Sequence, residues 1–187
     1  MQEINRDKFL FIYEQAEFGT LTPAAQTGLL ALLGFLEADA AVTDLRHAAY
    51  MLATTLHETG GTYEPVAEDG KGAGHPYGQP DPVSGERYYG RGFVQLTWAG
   101  NFKTMGEVCG VDLYRQPDLA MEPAIAYRIM SYGMRNGSFT GVGLAHYISG
   151  EKCDFLNARR IINGTDCADR IAGYAVKILD ALEQSVV

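Results

Sequence analysis

The stretch Leu45-Arg46-His47-Ala48-Ala49-Tyr50-Met51-Leu52-Ala53-Thr54-Thr55-Leu56-His57-Glu58-Thr59-Gly60-Gly61 decides the fold. Leu45, Ala49, Leu52 and Leu56 recur at alternating steps of four and three, the spacing that gathers apolar side chains on one face of an α-helix. Thr43 or Asp44 stands before the run as an N-cap, and Gly60-Gly61 ends it. The helix therefore delivers one carboxylate, Glu58, to the edge of a core.

Working outward, the same periodicity governs most of the chain. Residues 5–16 carry Phe9, Ile12 and Tyr13 at helical spacing, with Gly19 after the expected end. Thr22 and Pro23 form a cap and first helical position for a second helix, striped by Leu29, Leu30, Leu33 and Leu36. On the far side, Thr97 is placed to cap a helix over 98–108, and Glu122-Pro123 opens another with Ile125, Ile129 and Met130 on one side, ending near Gly137. Short helices are expected over 142–148 and 154–162. Asp166 starts a last helix with Ile171, Ala175, Ile178, Leu179 and Leu182 in register. Between these runs, Gly, Pro and Asp crowd residues 68–85, which reads as a long loop or a short hairpin, and Tyr88 to Thr97 has the aromatic and branched content of a short strand. There is no internal repeat, low-complexity tract or linker. The expected architecture is a single, mainly α domain over residues 1–187 with a small irregular β element.

Composition narrows the function classes. The 187 residues are 47% hydrophobic and 20% charged, ordinary values for a globular chain with a real core. No apolar run approaches the ~18–20 residues of a membrane span, so no stable membrane association is expected. The opening MQEINRDKFLFIYEQ has acidic residues where an export signal has basic ones, so the expectation is synthesis in the cytoplasm without a signal peptide. A net charge of −8 argues against nucleic acid as the ligand. Arg87, Arg91, Arg159, Arg160 and Arg170 still provide local positive charge for a cleft. Cys109, Cys153 and Cys167 are odd in number and lack metal-site spacing, and read as reduced thiols. His57-Glu58 lacks the second histidine of a zinc-protease helix, because position 61 is glycine; no metal or cofactor is expected. Gly70-Lys71-Gly72-Ala73-Gly74 neither follows a clear strand nor opens a helix, and reads as a turn rather than a phosphate loop.

The chemistry concentrates between His57 and Asn101. Glu58 sits at a helix C-terminus and at the core edge, and both circumstances disfavour an ionised carboxylate, as a general acid requires. Hydrolysis of a glycosidic bond needs a second carboxylate, and Glu64, Glu68, Asp69, Asp81 and Glu86 are within reach. The Gly-Gly turn lets the chain fold back, which suits Glu68, but spacing leaves all five open. Gln95, Thr97 and Asn101 offer uncharged hydrogen-bonding groups for sugar hydroxyls and N-acetyl groups, and Tyr88, Tyr89 and Trp98 offer flat faces.

Taken together, His57-Glu58-Thr59-Gly60-Gly61, Tyr88-Tyr89-Gly90-Arg91-Gly92-Phe93-Val94-Gln95-Leu96-Thr97-Trp98, Ala158-Arg159-Arg160-Ile161-Ile162-Asn163-Gly164 and Ala168-Asp169-Arg170-Ile171 resemble, in order, four blocks of glycoside hydrolase family 19. The resemblance is to the plant-type chitinases and more closely to the bacterial and phage branch that includes endolysins. It implies a lysozyme-like, two-lobed helical fold and hydrolysis with inversion. It implies Glu58 as general acid, Glu68 as base with Glu86 as second choice, and Thr97 as holder of the attacking water. His57, Tyr89, Arg91, Gln95, Asn101 and Asn163 fall on the substrate side, and Arg170 is a charge that orients the carboxylates. The chain departs from the plant pattern in a shorter loop without a cysteine framework. The implied substrate is peptidoglycan, cut by a monomeric enzyme that reaches the periplasm through a holin-type pore. Chitin is the alternative substrate, and a glycan-binding protein without turnover is the rival class.

Overall fold

The computed structural model describes residues 1–16, 18 and 20–187, so Gly19 lies outside the described residues. The chain forms two compact units: residues 1–63 with 133–187, and residues 64–132. No helix among the described residues is long and apolar enough to cross a membrane.

The first unit is built on helix α3, Leu45–Glu58, capped by the Asp44 side chain accepting from the Arg46 amide. The spacing suggested one buried stripe; instead, every residue from Ala48 to Leu56 is buried. A helix covered on all sides must satisfy its polar side chains internally. Thr54 and Thr55 do so by donating to the carbonyls of Tyr50 and Met51, at 2.9 and 3.0 Å. Helix α7, Ala168–Ser185, packs along both α3 and α1, Arg6–Gln15. It buries Ile171, Ala175, Ile178, Ala181 and Leu182, while Leu179 is only half-buried. Helix α2, Pro23–Ala38, starts at the Thr22 cap as the sequence indicated, but its buried face uses Leu32 rather than Leu30 beside Leu29, Leu33 and Leu36. Each such side chain contributes about 1.5–3 kcal/mol on leaving water.

Further links close this unit. Tyr13 and Tyr63 share a buried hydroxyl–hydroxyl hydrogen bond of 2.7 Å. Arg6 pairs with Glu37, and Ile4 bridges Val186, joining the two chain ends. Residues 142–162 hold helix α6, Leu144–Tyr147, and a 3-10 turn, Asn157–Ile161, with an unforeseen hairpin between them: β3, Ile148–Ser149, and β4, Lys152–Cys153. Cys167, in the left-handed region, precedes α7; Asp166 is not its cap. All three cysteines are free thiols.

The second unit is mostly irregular. Strand β1, Val66–Ala67, pairs antiparallel with β2, Arg91–Gly92, in the register Val66↔Gly92. The expected strand over 88–97 is thus two residues long. Positive φ at Gly92, Gln95 and Trp98 turns the chain, and an extended run there is impossible. Gly92 is obligatory: a Cβ would stand 2.9 Å from the Ala120 carbonyl at φ +88°. Helix α4, Ala99–Cys109, begins after Trp98 at φ 72°, without a side-chain cap, so Thr97 does not play the capping part assigned to it. Helix α5, Pro123–Asn136, carries the chain from this unit back into the first.

Two glycines of α2 separate packing from propensity. At Gly28 a Cβ would stand 2.6 Å from the Tyr63 carbonyl, whereas at Gly34 it would meet nothing within 4 Å. Gly28→Ala should destabilise the protein by about 1–3 kcal/mol through forced backbone displacement. Gly34→Ala should stabilise it by about 0.5–1 kcal/mol through helix propensity alone. Urea unfolding of both variants checks the opposite signs.

Candidate active site

In the first unit, Glu58 is the last residue of α3. Thr59 closes the helix: its hydroxyl donates to the Thr55 carbonyl at 2.7 Å and accepts from the Tyr63 amide at 3.1 Å. Gly60 and Gly61 follow at φ +60° and +87°, a reversal that side chains resist. The carboxylate is held by a cation. Arg159 Nη1 donates to Glu58 Oε1 at 2.6 Å, and the two side chains are only 4% and 16% exposed. Arg159 is itself fixed, because its Nε donates to the Asp166 carbonyl at 2.9 Å. The 3-10 turn carrying it is anchored by Asp154, which accepts from the amide and side chain of Asn157. Those bonds hold the Asp154 carboxyl below its ordinary range.

Helix position and burial alone did not reveal this guanidinium. A pair so nearly buried is costly to break: leaving one charge without its partner costs about 3–5 kcal/mol. Tyr50, two turns earlier on α3, stacks on Phe155 with ring centroids 5.8 Å apart. Its hydroxyl is buried without a protein partner, and burial, reinforced by the charge of Glu58, drives its proton affinity up against the opposing pull of Arg159.

In the second unit, Glu68 has both carboxylate oxygens engaged. Tyr77 donates to Oε1 at 3.0 Å and the Gly90 amide to Oε2 at 2.9 Å. The Glu68 amide returns a bond of 2.8 Å to the Gly90 carbonyl, so backbone and side chain grip one residue. The other candidate carboxylates stand differently. Asp81 accepts from Tyr114 at 2.6 Å and from the amides of Val83 and Ser84, which depresses it to about 2 and commits it to its own turn. Asp69 is exposed. Glu86 lies in the Asp81 turn through its main chain, and its carboxylate accepts no protein hydrogen bond among the described residues. Glu64 is exposed.

The segment 87–101 is held by its own polar groups. Arg91, 4% exposed, lies over the Tyr89 ring at 3.6 Å, pairs with Asp118 at 2.8 Å and donates to the Arg87 and Tyr89 carbonyls. Gln95 donates to the carbonyls of Val66 and Gly92, tying the turn to both strands. Asn101 donates to the Thr97 carbonyl at 2.8 Å. Three side chains assigned to substrate thus spend donors on the scaffold. Thr97 is half-buried, and its hydroxyl makes no hydrogen bond to described protein groups.

Back in the first unit, His57 is half-buried in the last turn of α3, and Asn163 is exposed, with its Oδ1 accepting from Gly164 at 2.9 Å. Arg170 is exposed in the first turn of α7 and forms no ion pair among the described residues. The charge that holds Glu58 is Arg159, not Arg170. A sequence signal existed, since Arg159 sits between apolar Ala158 and Ile161, a position that buries a side chain. Tyr77 had none: it is a lone aromatic in a Gly- and Pro-rich loop. No group of three or more His, Cys, Asp or Glu among the described residues could hold a metal ion.

The family model described as chitinase class I matches residues 20–136. Endochitinase 1 of Theobroma cacao is 39% identical over 101 residues, covering 46% of this chain and 32% of the relative. Endochitinase A2 of Pisum sativum is 35% identical over 106 residues, covering 46% of this chain and 31% of its own. The chain thus spans about a third of the length of these curated relatives. Among solved structures, chitinase C from Streptomyces griseus HUT6037 matches with a TM-score of 0.58 at 23% identity, over 96% of this chain and 92% of that one. A bacterial family 19 chitinase matches with a TM-score of 0.59 at 24% identity, over 96% and 94%. Those likenesses establish the lysozyme-like helical fold. The family model covers more than half of the 187 residues, and the chain belongs to glycoside hydrolase family 19, the family of class I chitinases.

Proposed function

We propose that this protein is a glycoside hydrolase that cleaves β-1,4 links beside N-acetylated sugars, with inversion at the anomeric carbon. Glu58 is the general acid and Glu68 the general base. The observation that carries the reading is the fixed carboxylate of Glu58. Its Oε1 is occupied by a nearly buried arginine, while Oε2 takes no protein hydrogen bond among the described residues and is available to carry the proton to the leaving oxygen. Glu68 accepts two hydrogen bonds, which fix its carboxylate in place to take a proton from water. Thr97, with an unengaged hydroxyl, positions that water. Asn163, His57 and the remaining oxygens of Gln95 and Asn101 contact the sugar. Arg91 and Tyr89 act indirectly, by holding the turn.

Peptidoglycan is the substrate we favour. The support is the resemblance of the four blocks to the phage branch, together with the short segment of ten positions from Glu58 to Glu68, free of a disulfide framework. In this reading a monomer acts on the wall in the periplasm after release through a holin-type pore. Chitin is the second reading, favoured by a specific observation: the curated relatives are named endochitinases.

Digestion of purified Gram-negative peptidoglycan and of chitohexaose, with mass spectrometry of the products, separates the two. Disaccharide-peptides with new reducing ends support the wall reading; cleavage of chitohexaose alone replaces it with chitin; cleavage of neither overturns the enzyme. On the cleaved substrate, Glu58→Gln, assayed on folded protein, should lower kcat by about 10²–10⁴-fold, as loss of a general acid does. Glu68→Gln should lose a comparable factor, and Glu86→Gln should stay within about threefold, the scale of a surface substitution. The reverse ranking of Glu68 and Glu86 would move the base.

A further inference from the structure

Glu68 is held by two donors, and only one of them is a side chain. The Tyr77 hydroxyl reaches Oε1 at 3.0 Å and makes no other hydrogen bond among the described residues. Every other feature of Tyr77 serves to fix that hydroxyl. Its ring stacks on His75, with centroids 5.0 Å apart and planes 3° from parallel, and meets Trp98 edge-on at 5.3 Å. Its carbonyl accepts from the Tyr88 amide at 3.0 Å, which ties it to the segment leading to Gly90. The turn Pro76–Gly78 is pressed against the turn Asp69–Gly72 so closely that a Cβ on Gly78 would lie 1.9 Å from the Gly72 carbonyl oxygen. The loop around Tyr77 therefore has little freedom. Partial desolvation and the adjacent carboxylate both raise the affinity of this phenol for its proton, which keeps it a donor. No cation among the described residues forms an ion pair with Glu68, so the phenol and the Gly90 amide supply its stabilisation. The charged groups on the following turn, Asp69 and Lys71, are exposed.

We propose that Tyr77 is a positioning residue: its hydroxyl, set by the His75 and Trp98 rings, fixes the orientation of the Glu68 carboxylate. The proposal rests on Glu68 being the base. A phenylalanine would keep both ring contacts and lose only the donor, so the substitution isolates the hydroxyl.

The test compares Tyr77→Phe, Glu68→Gln and the double variant, on chitohexaose or purified peptidoglycan, whichever the native protein cleaves. Tyr77→Phe should lower kcat by about tenfold, the scale of a hydrogen bond to a charged group, and leave KM within about twofold. Added to Glu68→Gln, Tyr77→Phe should cost nothing more. A wild-type rate in Tyr77→Phe, or a further loss when it is added to Glu68→Gln, overturns the positioning role while leaving the base in place. Full activity in Glu68→Gln overturns the base itself, and the proposal with it.

Discussion

Helix α3 has no solvent-facing side from Ala48 to Leu56, and the first unit depends on that constraint. A helix exposed on one flank can roll or fray; one surrounded by packed side chains has its axis, register and end fixed together. The position of Glu58 is inherited from this burial. Its last turn is then closed by Thr59 and reversed by two left-handed glycines, so the carboxylate points from a rigid end rather than from a loop. Arg159 completes the arrangement from another part of the chain. Two separately anchored elements, one helical end and one 3-10 turn, converge on a single 2.6 Å contact.

The second unit reaches a similar result with little regular structure. Two-residue strands cannot hold a carboxylate by themselves. The holding is done instead by side chains turned onto the backbone: Gln95 onto Val66 and Gly92, Arg91 onto Arg87 and Tyr89, and Glu68 under the Gly90 amide. The glycine-arginine-glycine segment is thus a brace. Its arginine is buried and stacked, and the strained backbone at Gln95 and Trp98 is stabilised by the bonds these residues make. Functional sites often sit on irregular backbone, and here Arg91, Gln95 and Asn101 spend donors on keeping the loop in shape.

Legibility in the sequence followed the physics of each unit. The helices announced themselves through 3.6-residue periodicity, and Thr22-Pro23 marked a helix start that the structure shares. Periodicity reports one face, however, and it understated α3, whose small and hydroxylated residues are buried on every side through bonds to their own helix. Capping failed where left-handed residues replaced side-chain caps, at Trp98 before α4 and Cys167 before α7. In the candidate site, motif spacing singled out Glu58 and the bracing segment but not the partners that hold the carboxylates. Arg159 is distant in sequence from Glu58, and Tyr77 lies in a loop whose composition predicts only turns. Long-range pairing of this kind has no periodic signature.

Under the proposed roles of Glu58 and Glu68, water rather than the protein attacks the sugar. Proton NMR of the first products, recorded before mutarotation, tests this most directly. The new reducing end should appear first as the α-anomer, inverted from the β-linked substrate. A β-anomer appearing first would mean retention, and would contradict the assignment of Glu68 as a base.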